Sequence, residues 1–260
     1  MNNKKERYAK KEFGQNFLKD NNVINKIVNI FDINDQKVIE IGPGRGALTK
    51  ALLPKVSSLN AFEIDLDMIN VLNAEINDSR LYLINQDFLK MDLTDFKDYF
   101  IIANIPYYIT TDILFKIFDF KDNFKGVILM VQKEVAQRIC AKFNTKEYSK
   151  LSVSAQYLAD CKLEFIVPAN CFSPAPKVDS AIISFKFKND LKYTWNEVKD
   201  FFKLCFEHRR KKLSYSLSSV YNKTQILEAF TKMNYDDNLR IQQLTVDQIV
   251  ELYELLNNKK

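Results

Sequence analysis

The amino-acid sequence predicts an α/β protein, with a doubly wound, Rossmann-like sheet followed by a small all-helical C-terminal domain. Three observations predict it. Short β-branched apolar runs alternate with amphipathic stretches from residue 38 to about residue 187. Such runs, bounded by polar residues, read as strands of a buried sheet, and their alternation with helices places helices on both faces. The first run leads through a glycine-rich turn into a helical pattern, as strands of this class do. After residue 188 the strand-like runs stop.

In order, the strand runs span residues 38–41, 59–64, 81–85, 100–103, 126–131, 163–167 and 181–187. Helical patterns between them cover 47–53, 67–76 and 112–118. The last two runs have no helical pattern between them, which predicts a hairpin adding an antiparallel strand at one edge. Residues 195–206, 212–220, 224–230 and 245–256 read as helices. The expected division is therefore a domain of residues 1–188 and a helical domain of residues 189–260, with the linker near 189–194.

Composition narrows the function classes. With 260 residues and 47% apolar content, the chain can bury a sizeable core. Its formal net charge of +5 is compatible with a polyanionic partner without demanding one. Cys140, Cys161, Cys171 and Cys205 are scattered and His208 is the sole histidine, so no metal site is expected and the thiols read as reduced. Residues 1–11 are polar, and no run approaches the ~18 apolar residues of a membrane span. These features predict a cytoplasmic protein with no membrane partner and a frayed tail at 257–260.

The first strand run ends in Glu40-Ile41-Gly42-Pro43-Gly44-Arg45-Gly46. Gly42 and Gly44 let the backbone approach a ligand closely, and Pro43 stiffens the turn. A bare Gly-x-Gly-x-Gly is shared by dinucleotide folds and ordinary turns, so its neighbours matter. Glu40 can meet a cofactor's charged amino-acid part through water. Glu63, about 20 residues beyond the turn, is placed to accept from both hydroxyls of a ribose. Asp87 ends the third strand and can accept from an adenine amino group, with Phe88 beside the ring. Any one acid could be a solvated strand end. Acids at successive strand ends of one sheet fall where ligands bind.

The fourth strand ends in Asn104-Ile105-Pro106-Tyr107-Tyr108. Pro106 makes the turn rigid and leaves one amide, one carbonyl and one ring. That set suits methylation of an exocyclic adenine amine, whose nitrogen is a poor nucleophile because its lone pair is delocalised into the ring. The Asn104 side-chain oxygen and the Ile105 carbonyl can accept its two hydrogens, which frees the lone pair. Tyr107 would stack on the flipped base, a contact contributing ~1–3 kcal/mol.

With these motifs in place, the chain resembles the bacterial small-subunit (16S) ribosomal RNA adenine dimethyltransferases over nearly its whole length. The likeness covers Phe13-Gly14-Gln15-Asn16-Phe17-Leu18, the glycine turn, Glu63-Ile64-Asp65, Asn104-Ile105-Pro106-Tyr107, Phe172-Ser173-Pro174-Ala175-Pro176-Lys177-Val178-Asp179-Ser180 and Arg209-Arg210-Lys211-Lys212-Leu213. The resemblance implies a class I methyltransferase sheet, S-adenosyl-L-methionine as cofactor, and 16S rRNA in the small ribosomal subunit as partner; a monomer is expected, with the oligomeric state left open by the sequence. It implies cofactor contacts at Asn16, Leu18, Gly42, Gly44, Glu63, Asp87 and Asn104, and puts Phe172 with Tyr107 around the target adenine. From the residues alone, Phe172 is just an aromatic before a proline-rich loop, and a core role is the favoured reading. Arg209, Arg210, Lys211 and Lys212 suit RNA phosphates or a solvated helix end. The chain departs from the family at Ser149, Ser173 to Pro176 and Tyr215, which bears on RNA docking and not on the reaction. The alternatives are a large-subunit rRNA adenine methyltransferase, a ribosome-assembly factor that only binds, and a DNA amine methyltransferase.

Overall fold

The computed structural model describes residues 9–10 and 13–257. Most of the polar N-terminal stretch and residues 258–260 of the tail lie outside the described residues. The elements run in the order β1 (Phe17–Leu18), α1 (Asn21–Ile27), β2 (Lys37–Ile41), α2 (Ala47–Leu52), β3 (Ser58–Phe62), α3 (Leu66–Glu75), β4 (Leu81–Ile84), β5 (Tyr99–Asn104), α4 (Thr110–Asp119) and β6 (Phe124–Gln132). They continue with α5 (Lys133–Ile139), α6 (Lys150–Leu158), β7 (Ala159–Val167), β8 (Phe172–Ser173), β9 (Ser180–Phe187), α7 (Trp195–Glu207), α8 (Leu213–Leu217), α9 (Lys223–Lys232) and α10 (Val246–Asn257).

The chain divides into two compact units. One holds the described residues up to Ala136 together with Cys161–Phe187. The other holds Gln137–Asp160 and the described residues from Lys188 onward. The sequence-based boundary near residue 188 is therefore incomplete, because residues 137–160 belong to the second unit. Their helix α6 has seven buried residues out of nine, including Ser152, Ser154 and Ala155, and so shows no amphipathic period to read. Its Gln156 side chain donates to the carbonyls of Ile139 (2.8 Å) and Ala141 (2.9 Å), which ties the segment together.

In the first unit a seven-stranded sheet has the order β4-β3-β2-β5-β6-β9-β7. The pairs β2–β3, β2–β5, β3–β4 and β5–β6 are parallel, whereas β6–β9 is antiparallel. The antiparallel strand expected at an edge thus lies one place in, with β7 outside it. Val38, Ile39, Leu59, Ile101 and Ile102 are fully buried, as strands covered on both faces must be. The chain leaves β2 toward β3 on one side and returns to β5 on the other. This reversal opens a crevice at the carboxyl ends of β2 and β5, where ligands bind in open α/β sheets. Helix α4 turns Ile113, Leu114, Ile117 and Phe118 inward, the spacing of one helix face.

The second unit is built from helices. Thr194 caps α7 through a reciprocal arrangement with Glu197, whose carboxylate accepts from the Thr194 N–H at 2.7 Å. Helix α6 packs against α7 and α10, and the Tyr157 and Phe202 rings meet edge to face at 5.4 Å. All four cysteines are free thiols. Among the described residues no helix is long and apolar enough to cross a membrane.

Candidate active site

A cavity of about 280 Å³ opens at the carboxyl ends of β2, β3, β4 and β5. It is lined by Asn16, Leu18, Gly42, Gly44, Glu63, Asp87, Asn104, Ile105, Pro106 and Tyr107, so the structure assembles all but one of the cofactor and catalytic residues read from the sequence.

Apart from Asn16 and Leu18, at β1, they stand at or follow the carboxyl ends of β2, β3, β4 and β5. The turn after β2 holds Gly42 and Gly44 at φ +67° and +54°, in the left-handed region where a side chain is strained. A Cβ at Gly42 would point at the Asn104 carbonyl oxygen, 3.6 Å away, and fill part of the cavity. At Gly44 it would come within 2.9 Å of the Phe17 ring. Glu63 follows β3 and is 5% exposed. Its Oε2 accepts from the Gly44 N–H (3.0 Å) and its Oε1 from the Asp65 N–H (2.9 Å). The carboxylate's remaining acceptor capacity faces the cavity that it lines. Burial pushes the Glu63 carboxyl above its ordinary range, more than these backbone donors pull it down. Glu40, 1% exposed, is pushed up to about 8 by burial, against the pull of the Thr49 hydroxyl at 2.7 Å and with the charge of Glu63 adding to the rise.

Asp87 follows β4. Its Oδ1 accepts from the Leu89 N–H at 2.9 Å, which fixes the carboxylate and leaves Oδ2 toward a ligand. Asn104 ends β5. Its amide nitrogen donates to the Asn16 carbonyl at 3.1 Å, so the side-chain oxygen remains as the acceptor. The Tyr107 hydroxyl and Ser180 Oγ are 2.7 Å apart, which pins the edge of that ring, and burial raises the Tyr107 hydroxyl.

Phe172 is the exception. It does not line the cavity. It is 2% exposed, lies opposite Leu18 in the β1–β8 pair, and belongs to the apolar cluster with Ile24, Val28 and Ile182. In this structure its side chain packs in the core beside the β1–β8 pair and does not reach the cavity lining. In the second unit, Arg210, Lys211 and Lys212 are exposed and line a separate groove of about 570 Å³ with Tyr215, Lys223 and Arg240. Arg209 does not join them: its guanidinium donates to the carbonyls of Thr145 (3.0 Å) and Lys146 (2.7 Å).

Several participants were given no role by the sequence. Lys116 on α4 donates to the carbonyls of Leu89 (2.9 Å) and Met91 (2.5 Å), which holds the turn bearing Asp87. Tyr108, 64% exposed, lines the mouth of the cavity. Lys10, Gln15 and Asp65 form a cluster whose members are up to 55 positions apart.

Fold and cavity together place the chain among the Rossmann-like methyltransferases, in which a nucleoside-bearing methyl donor lies along the strand ends. A model of the ribosomal RNA adenine dimethylase family matches residues 6–258. The ribosomal RNA small subunit methyltransferase A of Mycoplasmopsis synoviae is 57% identical over 252 residues, covering 96% of this chain and 97% of that protein. Its counterpart in Mycoplasmopsis pulmonis is 47% identical over 246 residues, covering 94% and 98%. Among solved structures, a dimethyladenosine transferase from Plasmodium falciparum superposes with a TM-score of 0.81 at 25% identity, covering 91% of this chain and 95% of that one. The 23S rRNA methyltransferase ErmE shares the fold, with a TM-score of 0.71 at 24% identity over 94% and 100% of the two chains. The chain belongs to the ribosomal RNA adenine dimethylase family, enzymes that use S-adenosylmethionine to methylate adenine in ribosomal RNA.

Proposed function

We propose that this enzyme methylates the exocyclic amines of two adjacent adenosines in a hairpin loop near the 3′ end of 16S rRNA. It acts as a monomer, in the cytoplasm, on the small ribosomal subunit during its biogenesis. The choice of small-subunit RNA rests on the curated relatives, each named for that subunit.

The cavity's groups fit S-adenosylmethionine. A glycine-lined cradle at Gly42 and Gly44 admits close backbone approach. The remaining acceptor capacity of Glu63 matches two ribose hydroxyls, and Asp87 Oδ2 matches an adenine amino group. Asn16 and Leu18 close the near side. When bound, the cofactor supplies an electrophilic methyl group.

The observation that carries the chemistry is Asn104. Its amide nitrogen is committed to Asn16, so its oxygen presents an acceptor at the cavity, with Ile105 next along the rigid turn through Pro106. These two acceptors take the hydrogens of the target amine, draw the nitrogen out of conjugation and hold its lone pair free. No strong base is needed before attack. Tyr107, fixed at its hydroxyl by Ser180, stacks on the flipped base. Arg210, Lys211 and Lys212 contact RNA phosphates and position the particle without reading sequence. The test is nucleoside mass spectrometry after incubation with unmodified small or large subunits. Dimethyladenosine in the small-subunit RNA supports the proposal. Label confined to large-subunit RNA, or absent from both, overturns it.

A further inference from the structure

The chain between Gly14 and Leu18 lies along the cavity as a strap, and three attachments hold it. At its C-terminal end β1 pairs with β8, Leu18 opposite Phe172, and the Lys19 N–H donates to the Cys171 carbonyl at 2.9 Å. In the middle the Asn16 carbonyl accepts from Asn104, and the Phe17 ring lies over Gly44. At the N-terminal end the attachment is polar. Gln15 Nε2 donates to Asp65 Oδ2 (2.9 Å), Lys10 Nζ to Asp65 Oδ1 (2.7 Å), and the Lys10 N–H to Gln15 Oε1 (2.9 Å). Lys10 also pairs with Asp67 at 2.7 Å.

These attachments differ in strength. The β1 end is anchored by the buried Leu18 and Phe172, which stay out of water whatever the cavity holds. The N-terminal end depends on Lys10, whose side chain is 35% exposed, so it is the end that releases first. Asp65 itself is 1% exposed, and its backbone N–H donates to Glu63 Oε1. The clasp is thus one hydrogen bond from the carboxylate assigned to the ribose. Although burial opposes it, hydrogen bonding from Lys10 and Gln15 holds the Asp65 carboxyl below its ordinary range.

We propose that Asp65 is a positioning residue for cofactor binding: with Lys10 and Gln15 it clasps the N-terminal strap over the cavity, and the clasp must part for the cofactor to exchange. This rests on the reading that the cavity holds S-adenosylmethionine. Asp65 also caps α3 by accepting from the Asp67 N–H at 3.0 Å. That structural duty needs neither Lys10 nor Gln15, so variants of those two residues separate the clasp from the cap.

The experiment measures binding and release of S-adenosylmethionine and S-adenosylhomocysteine by the full chain, using calorimetry and stopped flow. Lys10→Met and Gln15→Ala are expected to weaken binding by about tenfold, the scale of one hydrogen bond to a charged group, through faster release. The change falls on KM for the cofactor and not on kcat; the melting temperature falls modestly, since Asp65 loses a partner, and affinities are compared at a temperature where every variant is folded. Lys10→Met combined with Asp65→Asn should be no worse than the weaker-binding single variant, because both cut the same link. Lys10→Arg should restore affinity. Wild-type affinity and release rate in both Lys10→Met and Gln15→Ala would overturn the clasp, as would additive losses in the double variant. A wild-type protein that binds neither ligand would overturn the cavity assignment and the clasp with it.

Discussion

The two units handle polar side chains in opposite ways. In the first, Glu40, Glu63 and Asp65 are buried at the strand ends and each is held by named donors. In the second, Arg210, Lys211 and Lys212 stand exposed beside a groove, where Lys211 Nζ lies 3.8 Å from the centre of the Tyr215 ring and Lys212 reaches Asp237 at 3.4 Å. Buried, pre-oriented carboxylates hold a small ligand in one pose, since desolvation makes each contact strong and misplacement costly. Exposed cations on flexible stems are weak individually and tolerant of geometry, which suits a phosphate backbone. On the proposed function one unit carries the chemistry and the other captures RNA, and substitutions should separate them.

The largest expected effect tests whether Phe172 is core or site. Phe172→Ala should destabilise the protein by about 3–5 kcal/mol, the cost of emptying a large buried site. Phe172→Leu should keep methyl transfer near the wild-type rate, read at a temperature where the variant is folded. A Leu variant that folds yet loses transfer would return Phe172 to the base clamp. Next comes Asn104→Ala, expected to slow transfer by at least about a hundredfold, typical of losing one oriented group at the reacting atoms. Because Asn104 also holds the Asn16 carbonyl, cofactor affinity should fall too, but within about tenfold. Single-turnover rates at saturating cofactor check this, and a near wild-type rate removes Asn104 from the reaction.

Glu63→Gln should act the other way, weakening S-adenosylmethionine binding by about tenfold through loss of a charge-assisted partner while the saturated rate falls less. The amide keeps one acceptor for the backbone donors that an alanine would strand. Calorimetry showing unchanged affinity would take Glu63 out of the cofactor site. The smallest effect is set in the second unit. Arg210→Ala should weaken particle binding by about threefold and lower the salt slope by up to ~0.9, the share of one phosphate contact. Cofactor affinity is the control and should not move. Arg209→Ala should instead loosen the 145–146 backbone, seen as faster hydrogen exchange there. Equal salt slopes for wild type and Arg210→Ala would reduce Arg210 to a solvated helix end.

How much of this could be read in advance depended on distance along the chain. The sheet, the glycine turn, Glu63, Asp87 and Asn104 were legible because each is a local pattern: an apolar strand, then a turn, then a polar residue at the strand's carboxyl end. Strand period and turn chemistry act within a few residues, so the sequence carries them directly. Which Glu63 and Asn104 atoms the fold already engages was not legible. Which lone pairs are already taken depends on Gly44 and Asn16, which reach these side chains only in the folded sheet.

What the sequence determined by itself was therefore the order of the seven sheet strands, several of the helices, the family motifs and the chemistry those residue types allow. Only the tertiary structure decided three further matters. It moved residues 137–160 into the second unit, since α6 is buried nearly all round by that unit's helices. It packed Phe172 into the core, beside a pairing with Leu18 that spans more than half the chain. It joined Lys10 and Gln15 to Asp65 across 55 and 50 positions. The physical reason is common to all three. Burial and ion pairing depend on what lies nearby in space, and no local period or spacing encodes which distant segment the packed core will bring there.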